Sequence, residues 1–166
     1  MVDIVVLSGH PRPQSRTSAL ARGVGHALAV DRSAPLPVCI EVGALGAGLL
    51  IEEDEATTAA LALVEGTDVL VVATPAYTGT FSGVLKIFLE RLPVNALAGT
   101  YAIPVVTASL QPRAELAEAA LRRLLAELGA EVADFGLATV DSDATDTAVV
   151  AGRYVAELRP VHVLAL

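Results

Sequence analysis

The sequence predicts an α/β domain in which a parallel sheet of five strands carries helices on both faces, as a three-layer sandwich. Short apolar runs without alternation, typical of strands buried on both faces, are interspersed with segments whose apolar residues recur at helical spacing. This pattern indicates strand–helix–strand units joined by right-handed crossovers. The length of 166 residues suits a single domain over positions 1–166 with a sizeable core.

Each element is predicted from local signals. The predicted strands are the apolar runs at residues 2–7, 36–42, 69–73 and 101–107, with a fifth strand inside 131–140. Five helices are predicted at residues 16–30, 52–66, 82–92, 112–128 and 143–158. Ser15 or Thr17 can cap the first helix, and Pro112 suits the first turn of the fourth. The glycine-rich segment 43–50 is expected to be irregular.

Composition and charge exclude several classes of partner. The formal net charge of −8 argues against nucleic acid or an anionic membrane, so any anion site must be built locally. Although 54% of the residues are hydrophobic, no apolar run approaches the roughly 20 residues of a membrane helix. Asp3 interrupts the first apolar run, so we expect no signal peptide. The excess of apolar residues is expected in a buried sheet and a subunit interface.

The single cysteine, Cys39, rules out an internal disulfide and suits the reducing cytoplasm, where we expect the protein to reside. It lies in the apolar run of the second strand without a cation or histidine nearby in the sequence. We therefore expect a buried thiol with no catalytic part. The histidines His10, His26 and His162 show no metal-ligand spacing, so no metal site is expected.

A loop with the residue types of an anion site follows the first strand. Its pattern is Gly9-His10-Pro11-Arg12-x-x-Ser15-x-Thr17, directly before a helix. A helix N-terminus offers unpaired N–H groups and a positive dipole end to an anion. Arg12 can fork onto two phosphate oxygens, and the hydroxyls of Ser15 and Thr17 can donate to others. The alternative is a capped helix whose arginines are only solvated.

A second loop joins the third strand to the next helix, with the sequence Thr74-Pro75-Ala76-Tyr77-Thr78-Gly79-Thr80-Phe81-Ser82-Gly83. In an open parallel sheet, ligands bind outside the carboxyl ends of the strands, where this loop lies. By itself it could be a strand-to-helix turn rich in turn-forming residues.

The two loops together resemble those of the NADPH-dependent FMN reductases, which include the flavin-supplying partners of sulfonate monooxygenases. The first resembles the family's phosphate loop, Gly-Ser-x-Arg-x-x-Ser-x-Asn/Thr/Ser. The second, Thr74-Pro75-x-Tyr77 and then Phe81-Ser82-Gly83-Val84-Leu85-Lys86, resembles its flavin-contacting loop. The resemblance runs from the first strand through Gly136, and the last helix and the tail at 161–166 match nothing. It implies a flavodoxin-like fold with strand order 2-1-3-4-5 and a ligand site between strands 1 and 3.

The resemblance implies FMN as cofactor and NADPH or NADH as co-substrate, with hydride transfer from the nicotinamide to flavin N5. That chemistry belongs to the cofactor and requires no catalytic acid or base from the protein. The sequence likewise shows no credible triad or carboxylate dyad. The residues implied to bind the cofactor are Gly9, His10, Arg12, Ser15, Thr17, Thr74, Pro75, Ala76, Tyr77, Thr78, Gly79 and Ser109. Tyr77 could instead be a packing residue.

The sequence departs from the family pattern in two places. His10 replaces the usual serine, and its imidazole can donate to a phosphate and add charge if protonated. Ala108-Ser109 replaces a Gly-Gly pair that lets the backbone approach the flavin ring, so close approach is less free. Ser109 and Gln111 either bond the ring edge or simply begin the next helix. Pro104 lacks an N–H for the ladder and would suggest an edge strand, but the family often has a proline near here, so an inner strand is kept.

Two other functions remain open at this stage. One is a quinone or azo-compound reductase, which shares the first half-reaction, and the other is an electron carrier like flavodoxin, whose Thr-rich phosphate loop this sequence lacks. The reductase reading implies flavin and nicotinamide as small-molecule partners and a flavin-dependent monooxygenase as acceptor. It also implies a homodimer or homotetramer. Apolar residues on more than one stripe of the helix at 82–92 favour such an interface.

Overall fold

The structure is a computed structural model that describes residues 1–78 and 80–158. Gly79 of the second loop and the tail at 161–166 lie outside the described residues. The strands, numbered in chain order, are β1 Ile4–Ser8, β2 Val38–Glu41, β3 Val69–Ala76, β4 Tyr101–Ala108, β5 Glu131–Val132 and β6 Leu137–Val140. The helices are α1 Arg16–Asp31, α2 Val42–Leu45, α3 Glu55–Glu65, α4 Gly83–Glu90, α5 Gln111–Glu127 and α6 Thr147–Glu157, with a 3₁₀ helix at Gly46–Leu50.

All strand pairs in the sheet are parallel, and the order is β2-β1-β3-β4-β5, with β6 also paired to β4. This confirms the predicted order 2-1-3-4-5. Alternate residues of the inner strands face opposite layers, because successive side chains of a strand point to opposite faces. Val5 and Leu7 pack in the layer that contains α3, α4 and α5. Ile4 and Val6 pack in the layer that contains α1 and α6, which completes the three-layer flavodoxin-like sandwich.

Pro104 lies in an inner strand of the sheet, paired with Val72 of β3. Its other side faces the gap between β5, which pairs with Tyr101 and Ala102, and β6, which begins opposite Val105. The carbonyls of Ala102 and Ala108 accept bonds from that side, so by alternation the missing N–H of Pro104 also points there. The predicted fifth strand is therefore divided in two, and the missing donor falls where no ladder bond is needed.

The segment after β2 is helical rather than irregular, which corrects the expectation for residues 43–50. Val42 and Leu49 bury their side chains, and Arg91 at the end of α4 bonds carbonyl oxygens at the end of the segment and just after it. The Arg91 guanidinium donates to the carbonyl oxygens of Gly48, Leu49, Ile51 and Glu52 at 3.0–3.3 Å. The glycine content suggested an irregular segment, because these hydrogen bonds come from an arginine far along the chain.

Cys39 is exposed, so the expectation of a buried thiol was wrong. It lies in β2, as predicted, but β2 is the edge strand of the sheet. Helix α1 packs over β1, β3 and β4, which leaves that face of β2 open. Partial desolvation raises the pKa of the Cys39 thiol, so the thiolate, the nucleophilic form, is disfavoured.

None of the helices in the described residues is long and apolar enough to cross a membrane.

Candidate functional site

A cleft of about 610 Å³ lies at the carboxyl ends of β1, β3 and β4, at the switch point of the sheet. Three loops supply its walls, after β1, β3 and β4. The lining residues are His10, Arg12, Pro13, Gln14, Ser15, Arg16, Thr17, Pro75, Ala76, Tyr77, Thr107, Ala108, Ser109, Arg113 and Asp141. The structure thus brings together most of the residues implicated by the two sequence motifs.

The N-terminus of α1 forms one end of the cleft. Ser15 is the N-cap, and its hydroxyl oxygen accepts a hydrogen bond from the Ser18 N–H at 3.1 Å. The N–H groups of Arg16 and Thr17 find no acceptor among residues 1–78 and 80–158, as expected in the first turn of a helix. Two free donors and the positive end of the helix dipole therefore face the cleft.

Glu41 and Gly43 contact the first loop and stabilise its conformation. The carboxylate of Glu41 accepts from the Ser18 hydroxyl at 2.9 Å, from Arg22 at 2.9 Å and from the Gln14 N–H at 3.4 Å. Gln14 has a left-handed φ of 57°, which turns the chain toward α1. A Cβ on Gly43 would overlap the carbonyl oxygens of His10, at 2.7 Å, and of Pro11. Only glycine lets the start of α2 and the loop approach so closely.

Three arginines border the cleft, and they are engaged differently. Arg12 is exposed, and its guanidinium has no hydrogen bond or ion pair within the described part of the chain. Arg16 donates to the Asp141 carbonyl at 3.3 Å, and Arg113 donates to the Tyr77 carbonyl at 3.2 Å. Arg12 is therefore the guanidinium most available to an anion at the α1 terminus.

His10 is 93% buried in the cleft wall, with 7% of its surface exposed. Its Nδ1 lies 3.0 Å from the Arg12 nitrogen, and its Nε2 lies 3.2 Å from the Tyr77 hydroxyl. Burial lowers the pKa of His10, so the neutral imidazole is favoured near neutral pH. The possibility that a protonated His10 adds positive charge is therefore not supported.

Thr74 and Gly9 lie beside the cleft rather than in it, and they hold its loops together. The Thr74 hydroxyl donates to the Pro75 carbonyl at 2.9 Å and accepts from the Ser82 N–H at 2.8 Å. The Ser82 hydroxyl caps α4 and also donates to the Gly9 carbonyl. Gly9 in turn donates to the Ala73 carbonyl at 2.7 Å. Thr78, also predicted, is exposed beside the cleft but is not one of its lining residues.

The third loop joins the first through a pair of buried threonines. The hydroxyls of Thr17 and Thr107 lie 2.8 Å apart, at 3% and 2% exposure. The Thr17 hydroxyl is thus already hydrogen-bonded to Thr107, which limits its capacity to bond a ligand. Ser109 lines the cleft, whereas Gln111 begins α5 and donates to Glu115 and to the Ala138 carbonyl at 3.2 Å.

Several lining residues were not identified from the sequence. Arg113 lies in the first turn of α5, and Asp141 comes directly after β6, so both project from the carboxyl edge of the sheet. Their positions after predicted strands are the signal that could have identified them. Thr107 was assigned only to the fourth strand, and Arg16 only to the start of the first helix.

The sequence matches a family model described as NADPH-dependent FMN reductase over residues 2–145. NADH-dependent FMN reductase SfnF of Pseudomonas fluorescens (strain Pf0-1) is 32% identical over 151 residues, which cover 86% of this chain and 79% of that protein. NADH-dependent FMN reductase SfnE of Pseudomonas putida is 31% identical over 163 residues, which cover 95% of this chain and 87% of that protein.

Solved structures with similar folds include flavin enzymes. The apo form of NADH:FMN oxidoreductase (EMOB) has a TM-score of 0.78 at 27% identity, covering 98% of this chain and 92% of that one. An azoreductase from Bacillus anthracis strain Sterne has a TM-score of 0.64 at 13% identity, covering 95% and 98%. At that identity the second likeness concerns the fold alone.

Proposed function

Because the chain belongs to the NADPH-dependent FMN reductase family, it is an NAD(P)H-dependent flavin oxidoreductase, and we propose that its cleft binds FMN with the phosphate at the N-terminus of α1. The predicted enzyme class and cofactors, FMN with NADPH or NADH, agree with this membership. The assignment of individual residues to the cofactor is the part that we propose.

One observation carries the proposal. The N–H groups of Arg16 and Thr17 and the guanidinium of Arg12, none of which has a partner among the described residues, lie at one end of the cleft. A phosphate dianion accepts several such bonds and is further stabilised by the helix dipole. The Ser15 hydroxyl lies at the same end, and its proton can be given to Ser18 or to a ligand. The donor set therefore fits the phosphate of FMN.

The other end of the cleft suits the flavin ring. Pro75, Ala76 and Tyr77 form one wall, and Ala108 with Ser109 forms another. Bound FMN supplies the hydride-accepting chemistry, and the protein supplies binding, orientation and partial exclusion of water. Ala108 is buried and Ser109 is exposed, so the Ser109 backbone and hydroxyl are the groups from this loop that can reach the ring edge.

The proposal is tested with purified protein, FMN and either NADPH or NADH, by following the absorbance of the reduced nicotinamide. We expect oxidation that depends on FMN and saturates with it. Adding a quinone tests the alternative acceptor. If the protein passes electrons from bound flavin to the quinone, the rate of nicotinamide oxidation should rise with the quinone while free FMN is not reduced. Tight FMN retention without nicotinamide oxidation would contradict the proposal and favour an electron carrier.

We propose further that the reduced flavin passes to a flavin-dependent monooxygenase in the cytoplasm. The cleft opens to solvent, with Arg12, Tyr77 and Ser109 all exposed, so flavin can exchange. Cys39 is unpaired and exposed, which suits a reducing compartment. A coupled assay with a purified monooxygenase tests the transfer, since product should form only when both proteins and nicotinamide are present.

We propose that the protein is a homodimer or homotetramer. Helix α4 buries Leu85, Phe88 and Leu89 in the core but leaves Ile87 at the surface. Ile87 lies one helical turn before Arg91. The Arg91 guanidinium donates to carbonyl oxygens of the segment in which the side chains of Leu50 and Ile51 are exposed. Leu50 is 77% exposed and Ile51 54%. These three side chains, here called the α4 patch, support a subunit interface on this side of the molecule.

A further inference from the structure

His10 contacts both of the loops that border the proposed FMN site. Its Nδ1 lies 3.0 Å from the Arg12 nitrogen in the first loop, and its Nε2 lies 3.2 Å from the Tyr77 hydroxyl in the second. The imidazole and phenol rings meet edge to face, with centroids 6.4 Å apart and planes at 74°. A side chain buried to this degree with both ring nitrogens engaged is fixed in orientation.

The contacts of Nδ1 favour one tautomer of the imidazole. Nδ1 lies 3.0 Å from the Arg12 nitrogen and 3.1 Å from the Arg12 carbonyl oxygen, so both roles, acceptor and donor, have a partner in the first loop. The Arg12 N–H can only donate and points at Nδ1, whereas the carbonyl of the exposed Arg12 can bond to water instead, so we take Nδ1 as an acceptor that carries no proton. The single proton of the neutral ring therefore resides on Nε2 and is donated to the Tyr77 oxygen. The lowered pKa of His10 agrees with this neutral form. Tyr77 then accepts from His10, and its own O–H proton is free for another acceptor.

Tyr77 needs this support because it has little other packing. Its side chain is 56% exposed, and its carbonyl is held by Arg113 rather than by the sheet. Among the described residues, His10 is the hydrogen-bond partner of its hydroxyl.

We propose that His10 is a positioning residue that holds the Tyr77 hydroxyl as a donor to the bound flavin ring. This inference rests on the proposed FMN site. Because Tyr77 acts on the ring rather than on the phosphate, its contribution is the same for FMN and for riboflavin. This contribution differs from that of a direct contact between His10 and the phosphate, which would change the affinity for FMN alone.

Two substitutions separate the two bonds of His10. In His10→Asn the side-chain oxygen can take the place of Nδ1 and accept from Arg12, but nothing reaches Tyr77. In His10→Gln the amide nitrogen can take the place of Nε2 and donate to Tyr77. Tyr77→Phe removes the hydroxyl and keeps the ring. A double-mutant cycle combines Tyr77→Phe with each His10 variant. The dissociation constants of FMN and riboflavin are measured by flavin fluorescence.

In the otherwise unaltered protein we expect Tyr77→Phe to raise the dissociation constants of both flavins about threefold to tenfold, which is the range for the loss of one hydrogen bond. The same change should have a similar effect in the His10→Gln protein and almost none in the His10→Asn protein. His10→Ser introduces the residue that is usual in the family and gives a second background in which Tyr77→Phe should not change flavin binding. This background replaces His10→Asn if the asparagine variant does not fold.

Three outcomes would overturn the inference. They are an equal effect of Tyr77→Phe in all backgrounds, no effect in the unaltered protein, and a loss confined to FMN. The last would indicate that His10 and Tyr77 act on the phosphate. An unaltered protein that binds neither flavin would instead overturn the proposed function, so the two failures are distinguishable.

Discussion

Arg12 is the residue whose substitution tests the phosphate site most directly. Its guanidinium is exposed and unengaged within the described residues, so removing it breaks no contact of the folded protein. Arg12→Ala should weaken FMN binding about tenfold to a hundredfold, the loss of a charge-assisted contact of roughly 1.5–3 kcal/mol. Riboflavin has no phosphate, so its affinity should barely change, and the rate at saturating FMN should stay near that of the unaltered protein.

Two matched variants give this experiment its controls. Arg12→Lys should recover only part of the loss, because an ammonium cannot reproduce the fork of a guanidinium. Arg123→Ala removes another exposed arginine, which lies on α5, pairs with Glu127 at 3.0 Å and does not line the cleft, and it should leave both affinities unchanged. Equal weakening of FMN and riboflavin by Arg12→Ala would place the phosphate elsewhere.

Cys39 provides a second test at the residue scale. Its exposure predicts that a thiol reagent modifies one thiol per folded chain without denaturant, although slowly, since its pKa is raised. The modified protein and the Cys39→Ser variant should both retain turnover, because Cys39 does not line the cleft. Loss of nicotinamide oxidation that parallels thiol modification would assign the residue a role.

The sequence revealed those site residues whose chemistry is local. Ser15, Arg12 and Tyr77 could be identified because a cap, a charge and an aromatic ring have recognisable patterns. Thr74 was predicted to bind the cofactor because it belongs to the second motif, but the motif does not show that its hydroxyl bonds a backbone carbonyl and the N–H of Ser82. The role of Arg113 likewise depends on where the carbonyl of Tyr77 lies in space. Contacts between distant segments are set by tertiary packing, which one sequence does not display.

At the scale of elements, Arg91 links the segment after β2 to the end of α4. Arg91→Ala removes the donors to four carbonyl oxygens and should lower the free energy of unfolding by about 1.5–3 kcal/mol. Lys86→Ala on the same helix is the control. Lys86 forms an exposed ion pair with Glu90 at 3.7 Å, and its loss should cost about 0.5 kcal/mol or less. Urea unfolding measures both, and equal values would contradict the assignment.

The strands were predicted more accurately than the connections between them. Apolar runs marked β1, β3 and β4 because these strands are buried on both faces. The division of the last strand opposite Pro104 was not predicted, since it depends on which way the proline nitrogen points. The helical segment at 42–50 was also missed, because Arg91 lies far from it in the chain.

At the scale of the whole molecule, the prediction concerns assembly. If the α4 patch is a subunit interface, Ile87→Glu should shift the protein toward the monomer, because a buried charge without a partner is costly. Leu116→Glu is the matched control, as Leu116 is 63% exposed on α5 and lies outside the patch. Light scattering after size-exclusion chromatography at micromolar concentration reports the mass. A monomeric unaltered protein would count against the interface.

The arrangement of the sheet could be predicted as a whole because alternating strands and helices permit few topologies. The family resemblance then supplied the strand order, which the structure confirms. The exposure of Cys39 was harder to predict. The predicted order already placed the second strand at an edge, but Cys39 lies in an apolar run, and only the position of α1 shows that one face of β2 is open.

The close approach of Gly43 to the first loop has a consequence for how variants of this protein should be interpreted. Position 43 does not line the cleft, yet any side chain there would push against the carbonyls of His10 and Pro11. In a library of random substitutions selected for flavin retention, position 43 should therefore tolerate as little change as the loop itself. Selection would record it as a cofactor-site position, although its influence is entirely mechanical.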